Sequence, residues 1–272
     1  MESVTLDRPP TPPRPRAATP SAQPIHGEAP APVTEPPDVS IVLPVFNEAE
    51  SLPPLLAEIA YAMAEVEGSY EIIAVDDGSS DQSLKTLHAA AIDEPALRVL
   101  ANSRRCGQSA ALAAGIQAAR APVLVTLDAD LQNDPADIPL LLAALEDDWD
   151  LVSGIRARRR DTWVRRASSR IANGVRRRIL DDGVHDVGCS LKAYRRRFVA
   201  DLPVFDGMHR FLPALARLRG ARIREIEVNH RPRQYGTSKY GIGNRLWRGL
   251  LDLAGVWWLG HRWVDLSSVE ER

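Results

Sequence analysis

From Val39 onward, short and almost unbroken apolar runs take turns with longer stretches whose apolar residues recur at helical spacing. The first run, VSIVLPV at 39–45, is the pattern of a strand covered on both faces. Residues 48–66 carry Leu52, Leu55, Leu56, Ile59, Met63 and Val66 on one helical stripe, which predicts a helix closed by Gly68. EIIAV at 71–75 predicts a second buried strand ending at Asp76 and Asp77, and 80–91 a helix capped by Ser79 or Ser80. A third strand is expected at 97–101, an Ala-rich helix at 109–119, and a fourth strand at 123–127 that ends at Asp128. Residues 138–145 read as helix and 151–153 as a short strand. Strands alternating with helices imply an α/β fold with a mostly parallel sheet and crossover helices. In such sheets ligands sit beyond the carboxyl ends of the strands, where this chain places acidic residues.

The second half is less regular. Strands are expected at 187–194 and 222–228 and a helix at 208–218. Residues 231–241 (RPRQYGTSKYG) form a Gly/Pro/basic loop. Residues 246–259 predict an amphipathic helix with Trp247, Trp257 and Trp258, whose apolar side either packs on the sheet or lies in a membrane interface. Residues 1–37 hold 11 of the 21 prolines and almost no large apolar residues, so they are expected to form a disordered or polyproline tail.

Composition narrows the class. With 272 residues, 44% hydrophobic and 26% charged, the chain can bury a core and is neither collagen-like, wholly disordered nor a polytopic membrane protein. Two cysteines, Cys106 and Cys189, exclude a disulfide framework. No apolar run reaches the roughly 18 residues of a spanning helix. The first residues lack a basic-then-apolar signal pattern, so the expectation is a peripheral protein on the cytoplasmic face of a membrane. Charge is divided: residues 38–150 carry 5 basic and 20 acidic side chains, residues 151–272 carry 26 and 12. Ten arginines against one acid, Asp161, stand in 156–178, within a general preference for Arg (31 of the 34 basic residues). One half suits cations and the other anions such as phosphates or lipid headgroups. Aromatics are not interleaved with the basic residues in a nucleic-acid module, so no nucleic-acid partner is expected.

Asp128-Ala129-Asp130 follows a buried strand directly. In an extended chain the two carboxylates lie close together, an arrangement that a hard divalent cation relieves. Gln132 continues the alternation and offers a further oxygen; a solvated turn would use Asp as well. Asp76-Asp77-Gly78-Ser79 can accept from a ribose or a base N–H, although a cap and a Gly turn would need only one Asp. Pro44-Val45-Phe46-Asn47-Glu48 follows the first strand and brings an aromatic ring and a carboxylate to the same edge. Dinucleotide, P-loop and hydrolase-elbow glycine motifs are absent, and no Cys/His spacing suggests zinc.

In this order and spacing the motifs resemble the family 2 glycosyltransferases, nearest the dolichol-phosphate mannose synthase-like group, which makes polyprenyl-phosphate sugars. The resemblance also takes in residues 107–115, Gly154-Ile155-Arg156, Asp186-Val187-Gly188-Cys189-Ser190-Leu191-Lys192 and the Gly-Thr-Ser-Lys-Tyr run at 236–240. It implies a GT-A fold, a Rossmann-like mixed sheet flanked by helices, with a nucleotide half at 38–150, an acceptor half at 151–241 and the amphipathic helix and tail at 242–272. It implies nucleotide-sugar contacts at Pro44, Phe46, Glu48, Asp76 and Asp77, and at the Asp128-Ala129-Asp130 segment. Mg²⁺ or Mn²⁺ would be held by Asp128, Asp130 and Gln132. Arg156 and Ser190 would face the acceptor phosphate, and Arg233 and Lys239 would sit in a loop closing over the donor diphosphate. The chain departs from the pattern at Phe46, where many members have Tyr, and at Gly188-Cys189, where a Ser-Gly pair is frequent.

The implied reaction is inverting transfer from a GDP- or UDP-sugar to a polyprenyl phosphate, with Asp128, Asp130 and Arg156 at its centre. A phosphomonoester, with a second pKa near 6, is already anionic at neutral pH and needs no base. Arg is suited to position it. A saccharide hydroxyl acceptor would need a base, with Asp186 and Asp206 as candidates. A non-catalytic sugar-nucleotide-binding scaffold is the third reading, against which the intact D-A-D-x-Q set stands.

Overall fold

A computed structural model describes residues 35–146, 148–156, 174, 176, 178–180, 183–234 and 245–264. Seven strands form one sheet: β1 (Val39–Val45), β2 (Tyr70–Asp76), β3 (Leu97–Ala101), β4 (Val123–Thr126), β5 (Leu151–Arg156), β6 (Lys192–Arg195) and β7 (Ile223–Val228). Their order is β3-β2-β1-β4-β6-β5-β7. All neighbours are parallel except β6, which runs antiparallel to β4 and to β5. The sheet is therefore mixed, and six strands end where β6 begins.

The described helices are α1 (Leu52–Met63), α2 (Ser83–Asp93), α3 (Gln108–Ala118), α4 (Ile138–Glu146), α5 (Leu212–Leu218) and α6 (Arg245–Arg262). Strand alternation divides the core. Ile41, Leu43, Ile72, Ala74 and Val125 pack with α1 and α4 residues on one face. Val42, Ile73, Val75, Leu124 and Tyr194 pack with residues of α3, α5 and α6 on the other. Helix α3 lies close on the sheet because Gly115 has no side chain; a Cβ there would overlap Val42 and press on Val75.

Helix α1 starts at Leu52, with its apolar stripe but later than the expected start at 48, because 47–51 turn first. Asn47 adopts φ 53°, and the Ser51 hydroxyl donates back to the Glu48 carbonyl at 3.2 Å. Proline then occupies the first turn of the helix, where its missing N–H costs nothing. The strand expected at 187–194 shrinks to β6 because Cys189 N–H bonds back to the Asp186 carbonyl and turns the chain. The helix expected at 208–218 splits into a 3₁₀ turn at Met208–Arg210 and α5, with proline again in the first turn. Of the C-terminal helix, Leu253 and Val256 are buried while Leu251, Trp257 and Trp258 are exposed. It is thus anchored on the core and also presents apolar surface. Among the described residues no helix is long and apolar enough to cross a membrane.

Candidate active site

The ends of β1, β2 and β4 bring the three acidic motifs to one edge. The turns after β1 and β2 hold each other: Asn47 N–H donates to Ser79 Oγ at 2.9 Å, Ser80 N–H to Asn47 Oδ1 at 2.8 Å, and Glu48 N–H to Ser83 Oγ at 2.8 Å. Asp76 accepts from Ser79 N–H at 3.0 Å, while its buried Oδ1 meets no hydrogen-bond partner among the described residues. Asp77 accepts from Cys106 N–H at 2.7 Å, Asn102 Nδ2 at 2.9 Å and Gly107 N–H at 2.8 Å. Its carboxylate thus fixes the 102–107 loop. Gly78, at φ 68°, permits this: a Cβ would meet the backbone of Arg104 and Arg105 at 2.7 Å. The fixed loop lays the Arg105 guanidinium over the Phe46 ring, 4.2 Å from its centroid.

Below that pair, Asp128 and Asp130 follow β4. Asp128 N–H donates to Ser190 Oγ at 3.1 Å, and Gln108 Nε2 donates to Asp128 Oδ1 at 2.8 Å. Burial, and then the charge of Asp130, push the Asp128 carboxyl up to about 6, against a Ser190 hydrogen bond and the charges of Lys192 and Arg233. Arg233 Nη2 donates to Asp130 Oδ2 at 2.6 Å, and its Nη1 lies 3.7 Å from Glu48. The segment carrying Arg233 is docked by Arg231, whose guanidinium bonds Glu58 at 2.8 Å and Asp134 at 2.7 Å. Phe46, Glu48, Asp77, Arg105, Gln108, Asp128, Asp130 and Arg233 all line one cleft, together with Pro44 and Ala129.

The alternation expected through Gln132 stops at Leu131, which adopts φ 59° and buries its side chain. Asp130 Oδ1 accepts from Gln132 N–H at 3.1 Å across this turn. Gln132 is half-buried and is not among the residues lining the cleft.

A second pocket adjoins the cleft and shares Pro44, Gln108 and Asp128 with it. Its other walls include Ser190, Lys192, Tyr194, His209 and Arg210. Ser190 accepts from Asn133 Nδ2 at 2.6 Å as well as from Asp128 N–H. Arg156 stands behind this pocket: a Cβ on Gly188, which lines it, would lie 2.8 Å from Arg156 Nη2. Both its Nε and its Nη2 donate to Asp186 at 2.7 Å. Lys239 and most of the arginine run at 156–178 lie outside the described residues.

Sequence reasoning missed Arg105, Gln108, His209 and Lys192 as parts of this region. Gln108 opens α3 in a stretch already singled out at 107–115, and Lys192 closes the motif singled out at 186–192, although the resemblance implies no site role for either. Those were the available signals. His209 joins through Ser109, whose Oγ is 2.8 Å from its Nδ1, a contact across 100 residues that no local pattern announces.

The donor chemistry of the cleft suits a hard cation. It offers two adjacent carboxylates, and no group of three or more His, Cys, Asp or Glu residues among the described ones forms an all-protein cage. Mg²⁺ is commonly held in this way, by one or two carboxylates with substrate phosphates completing the shell.

A cleft at the carboxyl ends of a Rossmann-like mixed sheet, lined by a carboxylate pair, is the arrangement that the GT-A resemblance implies. Residues 40–202 match the family model for glycosyl transferase family 2, and the chain belongs to that family. It is 43% identical, over 75% of its length, to an undecaprenyl-phosphate 4-deoxy-4-formamido-L-arabinose transferase of Serratia proteamaculans. It is 42% identical, over 80% of its length, to a dodecaprenyl-phosphate galacturonate synthase of Rhizobium johnstonii. The chain spans 63% and 66% of the length of these relatives. Glucosyl-3-phosphoglycerate synthase from Mycobacterium tuberculosis, solved with UDP, shares the fold with a TM-score of 0.62 at 21% identity, over 85% of this chain and 82% of that one. The same enzyme solved with Mn²⁺, UDP and glucosyl-3-phosphoglycerate superposes with a TM-score of 0.61.

Proposed function

We propose that this chain is the catalytic part of an inverting glycosyltransferase that moves a sugar from a GDP- or UDP-sugar to a polyprenyl phosphate at the cytoplasmic face of a membrane. The observation that carries this reading is the junction at Asp128, where a carboxylate-floored cleft meets a pocket lined by cationic side chains. Relatives named for undecaprenyl- and dodecaprenyl-phosphate transfer support it.

Phe46 packs against the base once the Arg105 guanidinium that covers it here moves aside, and Asp77 holds the loop that carries Arg105. Asp76 supports the turn beneath it. Asp128 and Asp130 would hold Mg²⁺ or Mn²⁺, and Gln132, which lies outside the cleft lining here, would add an oxygen only by turning toward it. The ion, when bound, offsets the charge that gathers on the departing diphosphate. Arg233, and Lys239 in the loop beyond it, bind diphosphate oxygens, so Arg233 exchanges its present contact with Asp130 for the substrate. The acceptor phosphate enters the second pocket from the opposite side and attacks the anomeric carbon without a base. Ser190 and the backbone around Gly188 shape that pocket, and Arg156 supports the phosphate from behind it.

A saccharide acceptor would need a carboxylate poised as base, whereas Asp186 is engaged on both oxygens by Arg156. The deciding experiment incubates the purified chain with a panel of labelled sugar nucleotides, Mg²⁺ or Mn²⁺, and undecaprenyl phosphate. Labelled lipid is the expected product; label passing only to added saccharides or to water would refute the reading.

A further inference from the structure

Within the proposed transfer to a phosphate acceptor, on which this assignment rests, we infer that Lys192 is the acceptor-phosphate binding residue: its buried ammonium, on the wall of the second pocket, takes a phosphomonoester oxygen.

Lys192 opens β6, the one reversed strand, and pairs with Thr126 of β4 and Ser153 of β5. Directly paired strand residues share a face, and so do residues two apart. Lys192, Tyr194 and Thr126 therefore point together into the second pocket, which all three line. Lys192 is only 2% exposed. Lysine is almost never buried without an anionic partner. Its Nζ donates to the carbonyl of Cys189, a neutral group, and no ion pair joins it to a carboxylate among the described residues. An ammonium has three N–H donors, so hydrogen-bonding capacity remains.

The neighbouring cations differ. Arg156 is clamped by Asp186, Arg233 contacts Asp130 in the first cleft, and Arg210 lies 3.8 Å from Asp252. Their charge is offset within the protein. An anionic acceptor entering beside Asp128 meets a like charge, and Lys192 is a cation on that wall with no carboxylate at ion-pair distance among the described residues; burial works against its charge, while Asp128 and Asp186 favour it from farther off. The residue type fits as well. The chain uses Arg for 31 of its 34 basic residues, yet at this position it has the compact ammonium, a point charge with rotatable donors.

The alternative is a strut that merely pins the Cys189 carbonyl. Lys192→Gln keeps an N–H for that carbonyl and removes the charge. The expected result is a Kd for citronellyl phosphate, a short polyprenyl phosphate, raised about tenfold or more, with partial recovery in Lys192→Arg. The Kd for UDP with Mg²⁺ and the urea midpoint should stay near wild type. Unchanged citronellyl phosphate affinity, or equal losses for both ligands, would overturn the assignment. A second measurement needs no variant at position 192. The three lysines, isotope-labelled and assigned with Lys85→Arg and Lys239→Arg, give separate side-chain NMR signals. Titrating citronellyl phosphate should move the Lys192 signal most. A silent Lys192 signal while the ligand saturates the protein would also overturn it. Failure of the wild-type protein to bind citronellyl phosphate at all would instead remove the phosphate-acceptor reading itself.

Discussion

Asp130 shows how much a single carboxylate does here. One oxygen shapes the Leu131 turn and the other holds Arg233, and both functions precede any metal. Asp130→Asn is expected to retain the fold and to lower transfer by about a hundredfold or more, the scale seen when a group stabilising developing charge is removed. The measurement is initial rate on labelled donor, and wild-type turnover in this variant would sink the proposed metal role. Glu71 is a structural counterpart far from the cleft. It is 2% exposed and accepts from Ser40, Arg98 and Arg120. Burial pushes its carboxyl up, but these hydrogen bonds outweigh burial and leave it below its ordinary value. A carboxylate depressed in the folded state stabilises above its unfolded pKa, and that contribution fades as pH falls through the folded value. Glu71→Gln should therefore cost about 2 kcal/mol near neutral pH, with partly exposed arginines keeping the figure modest. The deficit in urea titrations should narrow below about pH 4. A deficit that grows on acidification would contradict this account.

At the scale of the element, the apolar runs marked the strands well: the bounds of β1 and β3 match the residues expected from pattern alone. Parallel strands buried on both faces have little else to be. Helix starts were less legible, because at 47–51 side chains from another turn, Ser79, Ser80 and Ser83, decide where the chain straightens. The acidic motifs were visible because they sit directly after their strands. Arg105 was not, because the Phe46 ring it covers comes from distant sequence, and Lys192 was visible only as the end of the 186–192 motif, because Asp128 and Thr126, which share its pocket, are far away in the chain. Gly115 is an element-scale hinge of packing rather than of motion. Gly115→Val should destabilise by about 1–3 kcal/mol through overpacking against Val42 and Val75, read from the urea midpoint. An unchanged midpoint would mean that α3 is free to move off the sheet.

For the molecule as a whole, Glu48, Asp77, Asp128 and Asp130 of the acidic half and Lys192, Arg210 and Arg233 of the basic half line two adjoining pockets. Trp257 and Trp258, 46% and 58% exposed, stand on the same terminal helix that buries Leu253 and Val256. Under the proposed membrane location, replacing both Trp residues with Ser should lower cosedimentation with anionic vesicles about tenfold while transfer to a soluble short-chain acceptor continues. Equal vesicle binding by the variant would assign that surface elsewhere.

Strand β6 is four residues long and is held between two neighbours of opposite direction. A slip of one position would exchange Lys192 and Tyr194 for Leu191 and Ala193, putting grease where charge belongs. One residue inserted after Ser190 is thus a frameshift of side chains without a frameshift of sequence: the sheet would still close, and the chemistry would face the wrong way.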